Sequence, residues 1–130
     1  MAVEGPQMKL VGYTASADLS AKQYYFVKIS GARTVTVCAG TTDIPIGVLQ
    51  NAPASGDVAE VCVIGHTKVS SDGTVTRGTP IGTSADGQAV TYAAGTDTTK
   101  YLVGQGLVST TTAGDIVEAF INCASPNRGA

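Results

Sequence analysis

His66 is the only histidine in a chain of 130 residues, which rules out any centre that needs several imidazoles, such as the His-rich zinc sites of hydrolases. One histidine is enough for a general base beside a serine or cysteine. Its surroundings, Ile64-Gly65-His66-Thr67-Lys68-Val69, nevertheless read as a bent strand and not as a catalytic loop. The carboxylates come in two pairs, Asp57 with Glu60 and Asp115 with Glu118. Residues three apart on an extended strand point to opposite faces, so neither pair makes a local acid/base dyad. Asp in a turn and Glu facing solvent accounts for both.

Cys38, Cys62 and Cys123 are odd in number and too far apart for a CxxC metal or redox motif. Each lies in or beside an apolar stretch, as a small buried hydrophobe does; a disulfide or a reactive thiol is the alternative. Gly104-Gln105-Gly106 lacks the third glycine of a dinucleotide loop, and no helical pattern follows it to bind an anion. There is no tryptophan and there are seven other aromatics, too few for a stacked base or sugar platform. No catalytic, cofactor-binding or metal-binding residue is therefore nominated, no cofactor or small-molecule substrate is expected, and the chain is not expected to be an enzyme.

Charged residues make up 14% of the chain, against roughly 25% in an average soluble domain. Sparse charge weakens the self-repulsion that keeps proteins apart and suits a surface partly covered by neighbours. Net charge is −2, and the eight Lys and Arg are scattered; without a basic face, no nucleic-acid partner is expected. Apolar runs such as Val61-Cys62-Val63-Ile64 are far shorter than the ~20 residues that cross a bilayer. The start, Met1 to Pro6, lacks the basic and apolar regions of a secretory signal. No membrane association is expected, and synthesis in the cytoplasm is.

Whatever the chain does must then be done by a surface, and the elements that build it read as strands. Tyr24 to Ile29 and Thr34 to Val37 flank the turn Ser30-Gly31-Ala32-Arg33 and form the clearest hairpin. Further strands are expected at Ile46 to Leu49, Val58 to Ile64, Thr67 to Val69, Thr74 to Thr76, Ala89 to Tyr92, Tyr101 to Val108 and Asp115 to Ile121. Ser71-Asp72-Gly73 and Ala85-Asp86-Gly87 carry the Asp-Gly pair of tight turns. One helical turn over Ser16 to Gln23 is as well supported as a plain turn. The expected fold is all-β, a single small barrel or sandwich of short antiparallel strands with little or no helix. Its organisation is an extended N-terminal arm at 1–14, a β domain at 15–122 and a loose tail at 123–130. Ser55-Gly56-Asp57-Val58-Ala59-Glu60-Val61 is echoed by Ala113-Gly114-Asp115-Ile116-Val117-Glu118-Ala119. A duplicated ancestral hairpin and two solutions to one turn problem explain the echo equally well.

One block, Asp43 to Asp57 leading into Ala59 to Gly65, resembles a family of small phage head proteins described as capsid decoration or cement proteins. The resemblance extends to Asp18-Leu19-Ser20-Ala21, Tyr25-Phe26-Val27-Lys28, Gly78-Thr79-Pro80-Ile81, Ser84 to Val90 and Ala113 to Glu118, covering roughly residues 15 to 121. It implies a structural virion protein that binds the outer surface of the assembled head, stabilises the capsid lattice, partners the major capsid protein and often forms a homotrimer. It supplies no catalytic residues. Outside the matched region, Met8, Leu10 and Tyr13 are the candidate capsid contacts, on an arm able to add a strand to a capsid sheet edge. A carbohydrate or host-surface binding module on the virion is the alternative, with Tyr24, Tyr25, Tyr92 and Tyr101 as its candidate aromatics.

Overall fold

The computed structural model describes residues 2–93 and 95–128. It is all-β: twelve strands and no helix among the described residues, the Ser16 to Gln23 segment folding as turns. The strands are β1 (Gln7–Lys9), β2 (Thr14–Ala15), β3 (Phe26–Gly31), β4 (Thr34–Val37), β5 (Gly47–Leu49), β6 (Val61–Ser70), β7 (Pro80–Thr83), β8 (Ala89–Thr91), β9 (Tyr101–Leu102), β10 (Gly104–Gly106), β11 (Ile116–Asn122) and β12 (Asn127–Arg128). Ten of them form one sheet in the order β2-β4-β3-β5-β6-β11-β10-β7-β8, with β1 also paired to β6, and β9 and β12 pair separately. The path is open and does not close into a barrel. All pairs are antiparallel except β2 with β4.

Consecutive residues on the central strands enter different apolar clusters. Phe26, Val48 and Cys62 belong to the larger cluster, and Val27, Leu49 and Val61 to the smaller. Burial on both faces explains why these strands carry apolar neighbours where a half-solvated strand alternates. The expected breaks also shift for a physical reason. Val58 to Ile64 and Thr67 to Val69 merge into the single strand β6, because Gly65 takes φ +148 and bends the strand without ending it. Tyr101 to Val108 divides into β9 and β10, and of Thr74 to Thr76 only Val75 makes a bridge, to Thr110.

The echo noted in the sequence is one part of an internal duplication. Phe26 pairs with Val48 and Val48 with Cys62; at the same places in the second half, Pro80 pairs with Gln105 and Gln105 with Phe120. The parallel contact Ala15 to Val35 has its counterpart in Ser71 to Ala89, and Thr14 to Val58 in Ser70 to Ile116. The loops follow the same rule. Tyr24 N donates to Leu49 O at 2.7 Å and Gly78 N to Gly106 O at 2.7 Å; Gln50 N donates to Glu60 O at 2.7 Å and Leu107 N to Glu118 O at 2.9 Å. Even the left-handed residues correspond: Tyr24 (φ 69) to Gly78 (φ 80), Arg33 (φ 55) to Gly87 (φ 82), and Gly56 (φ 86) to Gly114 (φ 89). The molecule is thus two copies of one hairpin-and-two-strand unit.

The two units share β6. It closes the first, where Met8 pairs with Ile64, and opens the second, where the same Ile64 pairs with Asn122. The segment read as an extended arm accordingly contains β1, seated on β6 with Gly5 N donating to His66 O at 3.0 Å and His66 N to Pro6 O at 3.1 Å. Within the segment read as a loose tail, Asn127–Arg128 pairs with β9; Gly129 and Ala130, like Met1, lie outside the described residues.

Candidate functional site

The first unit's interior, built from Leu19, Val27, Val35, Leu49 and Val61, is almost fully buried. At the corresponding places the second unit has Val75, Ile81, Ala89, Gly106 and Ala119, mostly smaller side chains. Phe26, Cys38, Val48 and Cys62 of the first unit pack into that same cluster. The outer face of the first unit is therefore covered by the second, each large apolar side chain contributing about 1.5–3 kcal/mol. Among the described residues the same face of the second unit has no such cover. There Pro80, Gln105 and Phe120, with Leu102, Asn122 and Asn127, line a surface cavity of about 600 Å³, and Phe120 is 50% exposed. Among the described residues no charged side chain lines this cavity.

This face was missed by the sequence reading. Its sign in the sequence is the outward register of β11, where Ile116, Glu118, Phe120 and Asn122 alternate with buried Val117, Ala119 and Ile121. Phe120 is thereby a large apolar side chain on the solvent face of an alternating strand. A second depression of about 540 Å³ lies beside Lys28, Asp43 and Pro45, where Ile29 and Ile44 are also exposed. Lys28 Nζ meets Asp43 Oδ2 at 2.9 Å, and the backbone N–H groups of Ala39 and Gly40 donate to the same oxygen. The Lys28 ammonium holds the Asp43 carboxyl below its ordinary range, helped by the Ala39 amide.

Of the candidate contacts, Met8 is 65% exposed, whereas Leu10 and Tyr13 are half-buried against the smaller cluster. The tyrosines do not assemble into an exposed platform: Tyr92 is buried, and Tyr24, Tyr25 and Tyr101 are half-buried beside Lys68, Lys22 and Arg128 respectively. The three cysteines are unpaired and buried. Burial pushes the Cys38 thiol up to about 12 and Cys62 to about 11, and raises Cys123 as well, which disfavours the thiolate needed for nucleophilic or metal chemistry. His66 Nε2 and Glu118 Oε1 lie 2.8 Å apart, joining the two strands at the centre of the molecule. Among the described residues no three of His, Cys, Asp and Glu gather as metal ligands would.

The arrangement offers surfaces for contact, and the fold matches one whose setting is known. It is similar to a phage head-fiber base. The solved structure is the head fiber gp8.5 N base of bacteriophage phi29, with a TM-score of 0.67 over 89% of this chain and 96% of that one, at 19% identity. No protein-family profile and no curated protein sequence matches the chain. The likeness therefore lies in the fold, which two nearly unrelated sequences reach over almost their full lengths.

Proposed function

We propose that this protein is a non-catalytic structural component of a phage virion that binds the outer surface of the assembled head and stabilises its lattice, as a homotrimer bound to the major capsid protein. The observation that carries the reading is the fold it shares, over nearly its whole length, with a phage head-fiber base. Sparse charge and apolar side chains exposed on a rigid all-β scaffold support it, because a subunit repeated over a lattice gains avidity from many modest contacts. The buried, high-pKa thiols favour packing over chemistry.

Mixing the purified protein with expanded and unexpanded heads of its phage, imaging both and measuring its mass in solution tests the reading. Trimers bound to expanded heads and absent from unexpanded ones are expected. A monomer that ignores both would overturn it.

A further inference from the structure

We propose that the cavity around Phe120 is a binding site for a neutral saccharide, which lays one face of its sugar ring on the phenyl group and offers its hydroxyls to the surrounding amides. The proposal adds a ligand to the structural role and does not depend on it.

The amide side chains make the argument. Gln7, Gln23, Gln50, Asn51 and Gln88 each donate a hydrogen bond within the chain, to Glu4, Gln50 O, Thr67, Val58 O and Ser70 respectively. The remaining amides are Gln105, Asn122 and Asn127. Among the described residues these three have no side-chain partner; they stand exposed, and all three line the same cavity. The fold gathers them: three paired strands set Pro80, Gln105 and Phe120 side by side, Asn122 follows Phe120 on the same face of β11, and β12 sets Asn127 opposite Leu102. A carboxamide both donates and accepts, as a sugar hydroxyl does, so free amides match a polyol. The exposed phenyl group, with Pro80 and Leu102, supplies the apolar surface that the C–H face of a pyranose covers. With no charged side chain among the described lining, neither a phosphate nor a cation meets a counter-charge there. On the β6 side Phe120 has His66 as its neighbour, but His66 Nε2 and Glu118 Oε1 engage each other at 2.8 Å and stand outside the lining. An extended peptide takes its main-chain bonds from a strand edge, whereas this is a sheet face whose free groups are side chains. The volume, about 600 Å³, falls in the ~300–1,000 Å³ range of small-ligand sites. The sequence holds too few aromatics for a stacked platform; one exposed ring among free amides needs none.

The test titrates isotope-labelled protein with neutral oligomers of glucose, galactose, mannose, rhamnose and N-acetylglucosamine, reading the side-chain amide signals by NMR. A sialylated sugar, inorganic phosphate and an uncharged peptide are run alongside. At least one neutral oligomer is expected to move the signals of Gln105, Asn122 and Asn127 and to leave those of Gln23 and Gln88 in place. Phe120→Ala and Gln105→Ala are each expected to weaken that binding about 3- to 10-fold, the worth of one aromatic contact or one neutral hydrogen bond, whereas Gln23→Ala binds as wild type does. Gln105→Ala, at an exposed polar position, keeps the test decisive should Phe120→Ala fold poorly. Silence from every neutral oligomer at millimolar concentration would overturn the proposal. So would sugar binding that survives both substitutions, or binding confined to the charged probes or the peptide. Variants that lose heads, when the wild type takes no sugar, would assign the face to the capsid, overturning the proposal and leaving the virion reading standing. A protein that takes sugar at this face yet ignores heads would do the reverse.

Discussion

Lys28 and Asp43 show how a modest pair ties a loop to a strand. Asp43 accepts from the Lys28 ammonium and from two backbone N–H groups at the start of its own loop, so its charged form is favoured in the folded protein and its pKa lies below the unfolded value. A carboxyl shifted down contributes stability that is full above the unfolded value, about 4, and fades as the pH falls through the folded one. The wild-type melting temperature is therefore expected to drop further between about pH 6 and pH 3 than that of Asp43→Asn, which has no charge to lose. Parallel curves would mean that the pair contributes nothing beyond its hydrogen bonds. None of this pairing was legible in sequence, because the two residues lie on different elements and only the fold of the loop after β4 brings them together.

At the scale of elements, β1 is held by a glycine. A Cβ on Gly65 would run into the carbonyl oxygen of Pro6 and come within 2.7 Å of Gln7 Cα, and the residue already sits at φ +148. Gly65→Ala is expected to cost about 1–3 kcal/mol in urea unfolding. Gly56→Ala provides the comparison, since its φ is also positive (+86) with nothing within 4 Å of the added Cβ. The Gly65 variant should lose more, through its contact with the first strand and through a φ farther from the left-handed helical region; equal losses would show that the strand is not held there. The sequence showed Gly65 as a bend, correctly, but not what the bend is for. Pro6 in a short polar stretch reads as an arm because nothing local announces that β6 has an edge to receive it.

For the molecule as a whole, the shared strand β6 is expected to make the two units unfold as one cooperative body. Leu19→Ala in the first unit removes a side chain that is 2% exposed and is expected to cost about 2–5 kcal/mol. Because β6 belongs to both units, this loss should lower a single unfolding transition, seen alike in far-ultraviolet circular dichroism and in the near-ultraviolet signal of the tyrosines. Two separated transitions would show that the units unfold independently. The same duplication explains why one outer face is closed and the other open: the first unit has a second to cover it, and among the described residues the second unit has none.

The sequence by itself determined the fold class. Frequent glycine and threonine, short apolar runs and Asp-Gly turns exclude helices and punctuate strands, and these are local properties of neighbouring residues. It also pointed to the repeated turn at Gly56 and Gly114, whose spacing along the chain is visible without a structure. Only the tertiary structure decided that this turn belongs to a full duplication, since beyond the echo, pairs such as Phe26 with Pro80 and Val48 with Gln105 differ in type and are related by register. It also decided that the face at Phe120, outward by the alternation along β11, stays uncovered in the folded chain. Burial depends on which surface another part of the chain happens to cover, and alternation along a strand gives the direction of a side chain without recording that choice.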